Sequence, residues 1–125
     1  MTQHLTKILA AGAAIMLATA AGAAAPKKTP DLVAKGKASY ATNCAVCHGD
    51  SGKGDGVAGA ALEPKPRNLV AGKFAKGAAP AQVFETLSKG LDGTTMVGYG
   101  HLPEEERWAL TYYVLDLRGG AQGGK

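Results

Sequence analysis

Between residues 31 and 48, Val33, Gly36, Tyr40 and Cys44 stand at relative positions 0, 3, 7 and 11, the spacing of one helix face. Thr29 or Asp31 can cap this helix, and Pro30 suits its opening turn. Gly36 inside it costs about 1 kcal/mol against alanine, which a second helix crossing closely there would offset. Residues 49–80 are rich in Gly, Pro and Lys and carry no period. A loop of that length in a compact domain has a functional reason, such as enclosing a bound group. Residues 81–90 predict a short helix after Pro80, with Phe84, Leu87 and Leu91 on one side and Gly90 as its stop. A glycine-flanked loop follows to His101. The clearest helix pattern, 102–120, has Pro103 in its first turn, and Glu104, Glu105 and Glu106 complement the positive end of the helix dipole. Leu110, Tyr113, Val114 and Leu117 form one apolar face, and Trp108, Tyr112 and Leu115 a second, so the helix is largely buried. Arg118 closes it, and Gly119 and Gly120 stop it. The sequence shows no strand pattern and no internal repeat, and the class is all-α with long loops.

Ahead of these elements, MTQHLTK supplies Lys7 as a positive charge and the uncharged run ILAAGAAIMLATAAGAAA follows. This is the three-part pattern of a secretory signal peptide. Cleavage is expected after Ala23, with Ala20 as the second choice. The expected organisation is therefore a cleaved signal over 1–23, a linker over 24–30, the folded domain over 31–118 and a flexible C-terminal tail over 119–125. The apolar run is about long enough to span a bilayer, but its alanine and glycine make it weakly hydrophobic, and an uncleaved anchor is the competing reading. With 125 residues the chain has room for one domain. Aromatics are 6% of it and glycines number 18, so its core is thin and an apolar group of another kind would complete it. The net charge of +4 comes from scattered lysines without a long basic run, which gives nucleic-acid binding no support. Lys53, Lys65, Lys73, Lys76 and Lys89 can instead steer acidic partners.

The segment NCAVCHGDSGKGDG, residues 43–56, gathers two thiols and an imidazole. A thioredoxin-type pair opens a helix in a strand-helix fold, whereas this pair follows a helix. A zinc site needs four ligands. His101 is a fourth candidate beside Cys44, Cys47 and His48, although His48 directly after Cys47 is awkward for one tetrahedral ion. The third reading is C-x-x-C-H, the attachment motif of c-type haem. Cys44 and Cys47 would add across the vinyl groups, and His48 would offer Nε2 to the iron. The chain holds two cysteines, hence one covalent haem c. The export pattern agrees, because this haem is installed outside the bacterial inner membrane. With Met1 and Met16 removed in the signal, Met96 is the methionine left for the iron's other side. A methionine that merely fills a core gap would more naturally lie on a helix stripe. His101 is its rival, and an open sixth position is the third option.

The stretches CAVCHGDSGKGDG, KPRNL, LSKGLDGTTM and EERWALTYYVLDLR, in that order from about Asp31 to Arg118, resemble the class I cytochromes c, small single-haem electron carriers. The resemblance implies the cytochrome c fold, three to four helices with long loops wrapped around one covalently bound haem. It implies that the first and last helices cross with Gly36 or Tyr40 against Tyr113. It implies that the Pro66 carbonyl, with Pro64 as the alternative, accepts the Nδ1–H of His48, and that Leu69 packs on the haem face. Arg67, Tyr99 and Trp108 are candidates for the haem propionates, each also readable as structural, and Trp108 as core. Val97 stands where many relatives carry proline. The glycine run lacks the phosphate-loop spacing and is read as tight turning beside the porphyrin. The implied function is a periplasmic single-electron carrier cycling Fe(III)/Fe(II) between His48 and Met96. It would not be an enzyme. It would act as a monomer that docks transiently at the haem edge with redox protein partners, and would meet a membrane only through a retained signal segment. The alternative is a haem c subunit permanently associated with a dehydrogenase or oxidase complex. A ligand-binding or peroxidatic haem protein ranks behind both.

Overall fold

Thr29 opens the first helix by accepting the Leu32 N–H on its hydroxyl at 3.2 Å, with Pro30 in the first turn where no amide is needed. The computed structural model describes residues 24–120; the expected signal segment 1–23 and residues 121–125 of the expected tail lie outside the described residues. Helix α1 runs Pro30–Asn43 and α2 runs Ala45–His48. After a single 3-10 turn at Val57–Ala61 come α3, Pro80–Lys89, and α4, Glu104–Gly120. No strand is present among the described residues, and the all-α class expected from the sequence is the class observed.

The single helix expected over 31–48 is broken. Asn43 folds its amide back onto the Ser39 carbonyl at 3.0 Å and onto the Ser39 hydroxyl at 3.1 Å, competing with the backbone ladder. Cys44 leaves helical geometry at φ −121°, and α2 restarts beyond it. Gly119 and Gly120 fall inside the last turn of α4 rather than beyond it. The loop 49–80, expected without structure, holds the 3-10 turn. On α3, Val83 and Leu87 are buried. Phe84 is only half-buried, lying stacked on Trp108 with ring centroids 4.2 Å apart.

Helices α1 and α4 form the frame. A Cβ at Gly36 would collide with the Ala109 carbonyl and lie 2.9 Å from Tyr113 Cβ, so the two backbones touch there and a hydrogen is all that fits. One turn on, Tyr40 meets Tyr113 edge-to-face at 5.1 Å, an arrangement worth about 1 kcal/mol beyond area. Gly36 and Tyr40 both face Tyr113, as the family resemblance implied. Ser39 donates to Glu106 at 2.6 Å across the same interface. Leu110 and Thr111 on α4 are 0% exposed, and Thr111 returns its hydroxyl to the Arg107 carbonyl at 2.8 Å. The α3 helix is fixed to α4 by Arg107, which donates to Ser88 at 2.6 Å and lies over the Phe84 ring at 4.9 Å. The long loop is held by Arg118, which donates to the Gly72 carbonyl and covers Phe74 at 4.4 Å.

Replacing Gly36 by alanine forces a methyl into backbone and separates α1 from α4. The expected loss is about 3 kcal/mol of unfolding free energy, read as a lower denaturation midpoint with unchanged slope. A variant as stable as the parent would show that the helices do not touch at this point.

Candidate functional site

The core is in two parts. Leu32, Trp108, Ala109 and Tyr112 fill the outer side of the α1–α4 pair. Tyr40, Cys44, Leu69, Val83, Leu87, Leu110 and Val114 form the other part, and this second cluster stops short of closing. Between it and the long loops lies a cavity of about 250 Å³. Its walls are mainly apolar, with Leu62, Leu69, Phe74, Val83, Leu87 and Val114 among them.

Of the residues the sequence marks for a haem, all but His101 and Trp108 line this cavity. Cys44, Cys47 and His48 come to it from the kinked end of α1 and from α2, Pro66 and Leu69 from the long loop, and Met96 from the loop between α3 and α4. Arg67 and Tyr99 also line it. His101 is exposed, with its ring 5.9 Å from that of Tyr99. Trp108 is in the other core cluster, sandwiched between Phe84 and Tyr112, with its indole N–H buried and unbonded. Neither lines the cavity.

The expected Pro66 contact is corrected by the geometry. The carbonyl facing His48 Nδ1 at 3.0 Å belongs to Arg67. The Pro66 carbonyl turns instead toward Gly54, where a Cβ would lie 2.6 Å from it. The backbone there is oriented by its neighbours. Leu69 N–H donates to the Gly52 carbonyl at 2.6 Å, and Asn68 Oδ1 accepts from the amides of Val70 and Ala71 at 2.9 and 3.0 Å. The arginine between Pro66 and Asn68 shifts the presented carbonyl by one residue. Since a carbonyl only accepts, Nδ1 carries the proton and Nε2 keeps its lone pair for a metal. Burial lowers the His48 pKa, partly opposed by the bond to Arg67, so the ring is held neutral, as a ligand must be.

The thiols are free and sit in different surroundings, Cys44 buried and Cys47 half-buried. Burial, with Cys47 adding to it, pushes the Cys44 thiol up to about 11. A redox pair needs the opposite, a depressed thiol pKa. Among the described residues no three His, Cys, Asp or Glu side chains converge as a metal-ligand group, which leaves the zinc reading without a fourth ligand. Two unpaired thiols, a neutral imidazole with Nε2 free, a thioether and apolar walls on one cavity fit a haem that Cys44 and Cys47 would bind and His48 and Met96 would ligate. The sequence missed the Arg67 carbonyl, the Phe74 wall and the Tyr99 hydroxyl, which donates to the Asn43 carbonyl at 2.8 Å. Each depends on where a loop folds back, and no periodicity reports that.

The cytochrome c family model matches residues 33–118. The chain is 36% identical over 97 residues to the Cbb3-type cytochrome c oxidase subunit FixP of Azorhizobium caulinodans, covering 78% of this chain and 31% of that one. It is 32% identical over 96 residues to the Cbb3-type cytochrome c oxidase subunit CcoP of Azospirillum brasilense, covering 75% and 32%. The chain thus spans about a third of the length of the curated relatives it matches. Among solved structures, a chain of the Kuenenia stuttgartiensis reducing HAO-like protein complex superimposes with a TM-score of 0.69 at 33% identity, over 74% of this chain and 46% of that one.

Because the His48 acceptor is a backbone carbonyl, Arg67→Ala should keep the slowly exchanging Nδ1 proton in the NMR spectrum. Gly54→Ala should lose that proton and about 2 kcal/mol of stability, since Gly54 has φ +80° and its added Cβ would press on the Pro66 carbonyl. The reverse pattern would place the acceptor elsewhere.

Proposed function

The chain belongs to the cytochrome c family, and from that premise we propose that it is the haem c electron-transfer unit of an oxidase-type complex. The observation that carries the haem part is the meeting of Cys44, Cys47, His48 and Met96 on one apolar cavity. The relatives FixP and CcoP, both oxidase subunits, support the complex. They favour it over the free carrier, which stands as the second reading and is motivated by the +4 charge.

In this reading Cys44 and Cys47 would hold one covalent haem through thioether bonds, one haem for the one such pair. When bound, the haem supplies one-electron Fe(III)/Fe(II) chemistry. His48, its tautomer fixed by the Arg67 carbonyl, and Met96, on the same cavity, would ligate the iron. Thioether sulfur favours the ferrous state. With His48 and Met96 both engaged on the iron, the chain would pass electrons rather than turn over a substrate. A periplasmic location is part of this reading; the signal pattern of residues 1–23 and the attachment of c-type haem outside the inner membrane support it. Among the described residues no helix is long and apolar enough to cross a membrane. Val46, between the two cysteines, and Val97, beside Met96, are 51% and 61% exposed. Together with Lys65 and Lys76 on the cavity lining, they offer an apolar and cationic surface to a redox partner.

Met96→Ala should leave the haem attached, lower the reduction potential and open the iron to carbon monoxide. An unchanged potential would remove Met96 from the ligand set. Affinity purification of the exported protein from its own membranes at low salt should bring down oxidase subunits in stoichiometric amount. Recovery of the chain alone would favour the free carrier.

A further inference from the structure

The break between α1 and α2 has a second effect. At Cys44 the helical ladder is interrupted, and the amides of Cys47 and His48 both turn to the Cys44 carbonyl, at 3.2 and 2.9 Å. The Asn43 carbonyl, which would take the Cys47 amide in a continuous helix, is left without that partner. The Tyr99 hydroxyl donates to it at 2.8 Å. Tyr99 is half-buried, lines the cavity and follows Met96 by three residues.

The other bonds of the 91–100 loop are local or run to α3. Leu91 N–H donates to the Met96 carbonyl at 3.0 Å, Tyr99 N–H to the Leu87 carbonyl at 2.7 Å, and Met96 N–H to Thr94 Oγ1 at 3.0 Å. Among the described residues, the bond from Tyr99 to Asn43 is the one hydrogen bond joining this loop to the segment that carries Cys44, Cys47 and His48. It therefore joins the two sides of the cavity's donor set, which are 56 residues apart in sequence.

We propose that Tyr99 is a positioning residue that holds the Met96 loop closed, and that its hydroxyl, by capping the carbonyl freed at the helix break, sets how readily Met96 leaves the iron. The inference rests on Met96 as the distal ligand. Displacing Met96 moves the loop off the cavity, and a bond anchored on the opposite segment must break when it does. The local bonds within the loop and to α3 need not break. Removing the hydroxyl leaves the half-buried Asn43 carbonyl unpaired in the closed state and raises the open population about tenfold, the size expected for one such bond.

The test uses the ferric holoprotein with cyanide as the probe. Tyr99→Phe should keep its haem content and bind cyanide about tenfold faster than wild type. Tyr112→Phe removes a similar bond, from the Tyr112 hydroxyl to the Pro26 carbonyl at 2.6 Å, on the side of α4 away from the cavity. It should bind at the wild-type rate. Equal rates for Tyr99→Phe and wild type overturn the proposal, and so does an equal acceleration in Tyr112→Phe, which would mark general loosening. Without any substitution, the Tyr99 hydroxyl proton should exchange slowly with solvent until cyanide displaces Met96; fast exchange in the methionine-bound form contradicts the tether. A wild-type ferric spectrum lacking the far-red methionine–iron(III) band would bring down the ligation reading and this one together. With the band present and Tyr99→Phe unaccelerated, the tether alone fails.

Discussion

The contact of two helix backbones at Gly36 is the constraint on which the rest of the structure depends. Because Gly36 offers no side chain, α1 can lie against the Ala109 carbonyl and Tyr113 Cβ. Tyr40 and Tyr113 then lock the crossing one turn further on. That crossing decides where α1 ends, and therefore where Cys44, Cys47 and His48 are delivered. It also presents Leu110 and Val114 of α4 toward the same space. A wider crossing would move the thiols relative to the apolar wall they share, and the cavity would lose its shape.

On that frame the loops do the finer positioning through backbone groups rather than side-chain chemistry. The carbonyl of Arg67 sets the His48 tautomer, and the Asn68 side chain holds the turn that presents it. Arg118 reaches from α4 to grip the loop at Gly72 and Phe74. Opposite-charge pairs contribute little to this. Lys35 with Glu105 and Lys89 with Glu85 are exposed, and such pairs are worth at most about 1 kcal/mol. The apolar cluster is left unclosed around the cavity, as expected of a chain with few large side chains that relies on a bound group to complete its core.

Much of this was legible in the residues because it rests on local rules. The α4 pattern, its acidic first turn and the start of α3 at Pro80 follow from periodicity and capping. The Gly36 crossing followed from a glycine tolerated in a helix, together with the family resemblance. The fold also brings Cys44, Cys47, His48, Leu69 and Met96 to one cavity. What could not be read was decided by chain reversal. Whether Pro66 or Arg67 presents its carbonyl depends on how Leu69 and Asn68 are bonded, a matter of one residue in a loop without period. The kink at Cys44 depends on Asn43 competing for the Ser39 carbonyl, which no apolar stripe records. Trp108 and His101 carried plausible chemistry, but neither lines the cavity.

The central claim is a covalent haem shared by the two thiols of one motif. The measurement that tests it most directly is the intact mass of the purified, exported protein, taken under denaturing conditions alongside its visible spectrum. The predicted result is the polypeptide plus one haem that denaturation and acid acetone do not remove, with the sharp ferrous bands of a low-spin c-type haem. A colourless protein with the mass of its amino acids alone, or a haem that acid acetone extracts, would contradict it.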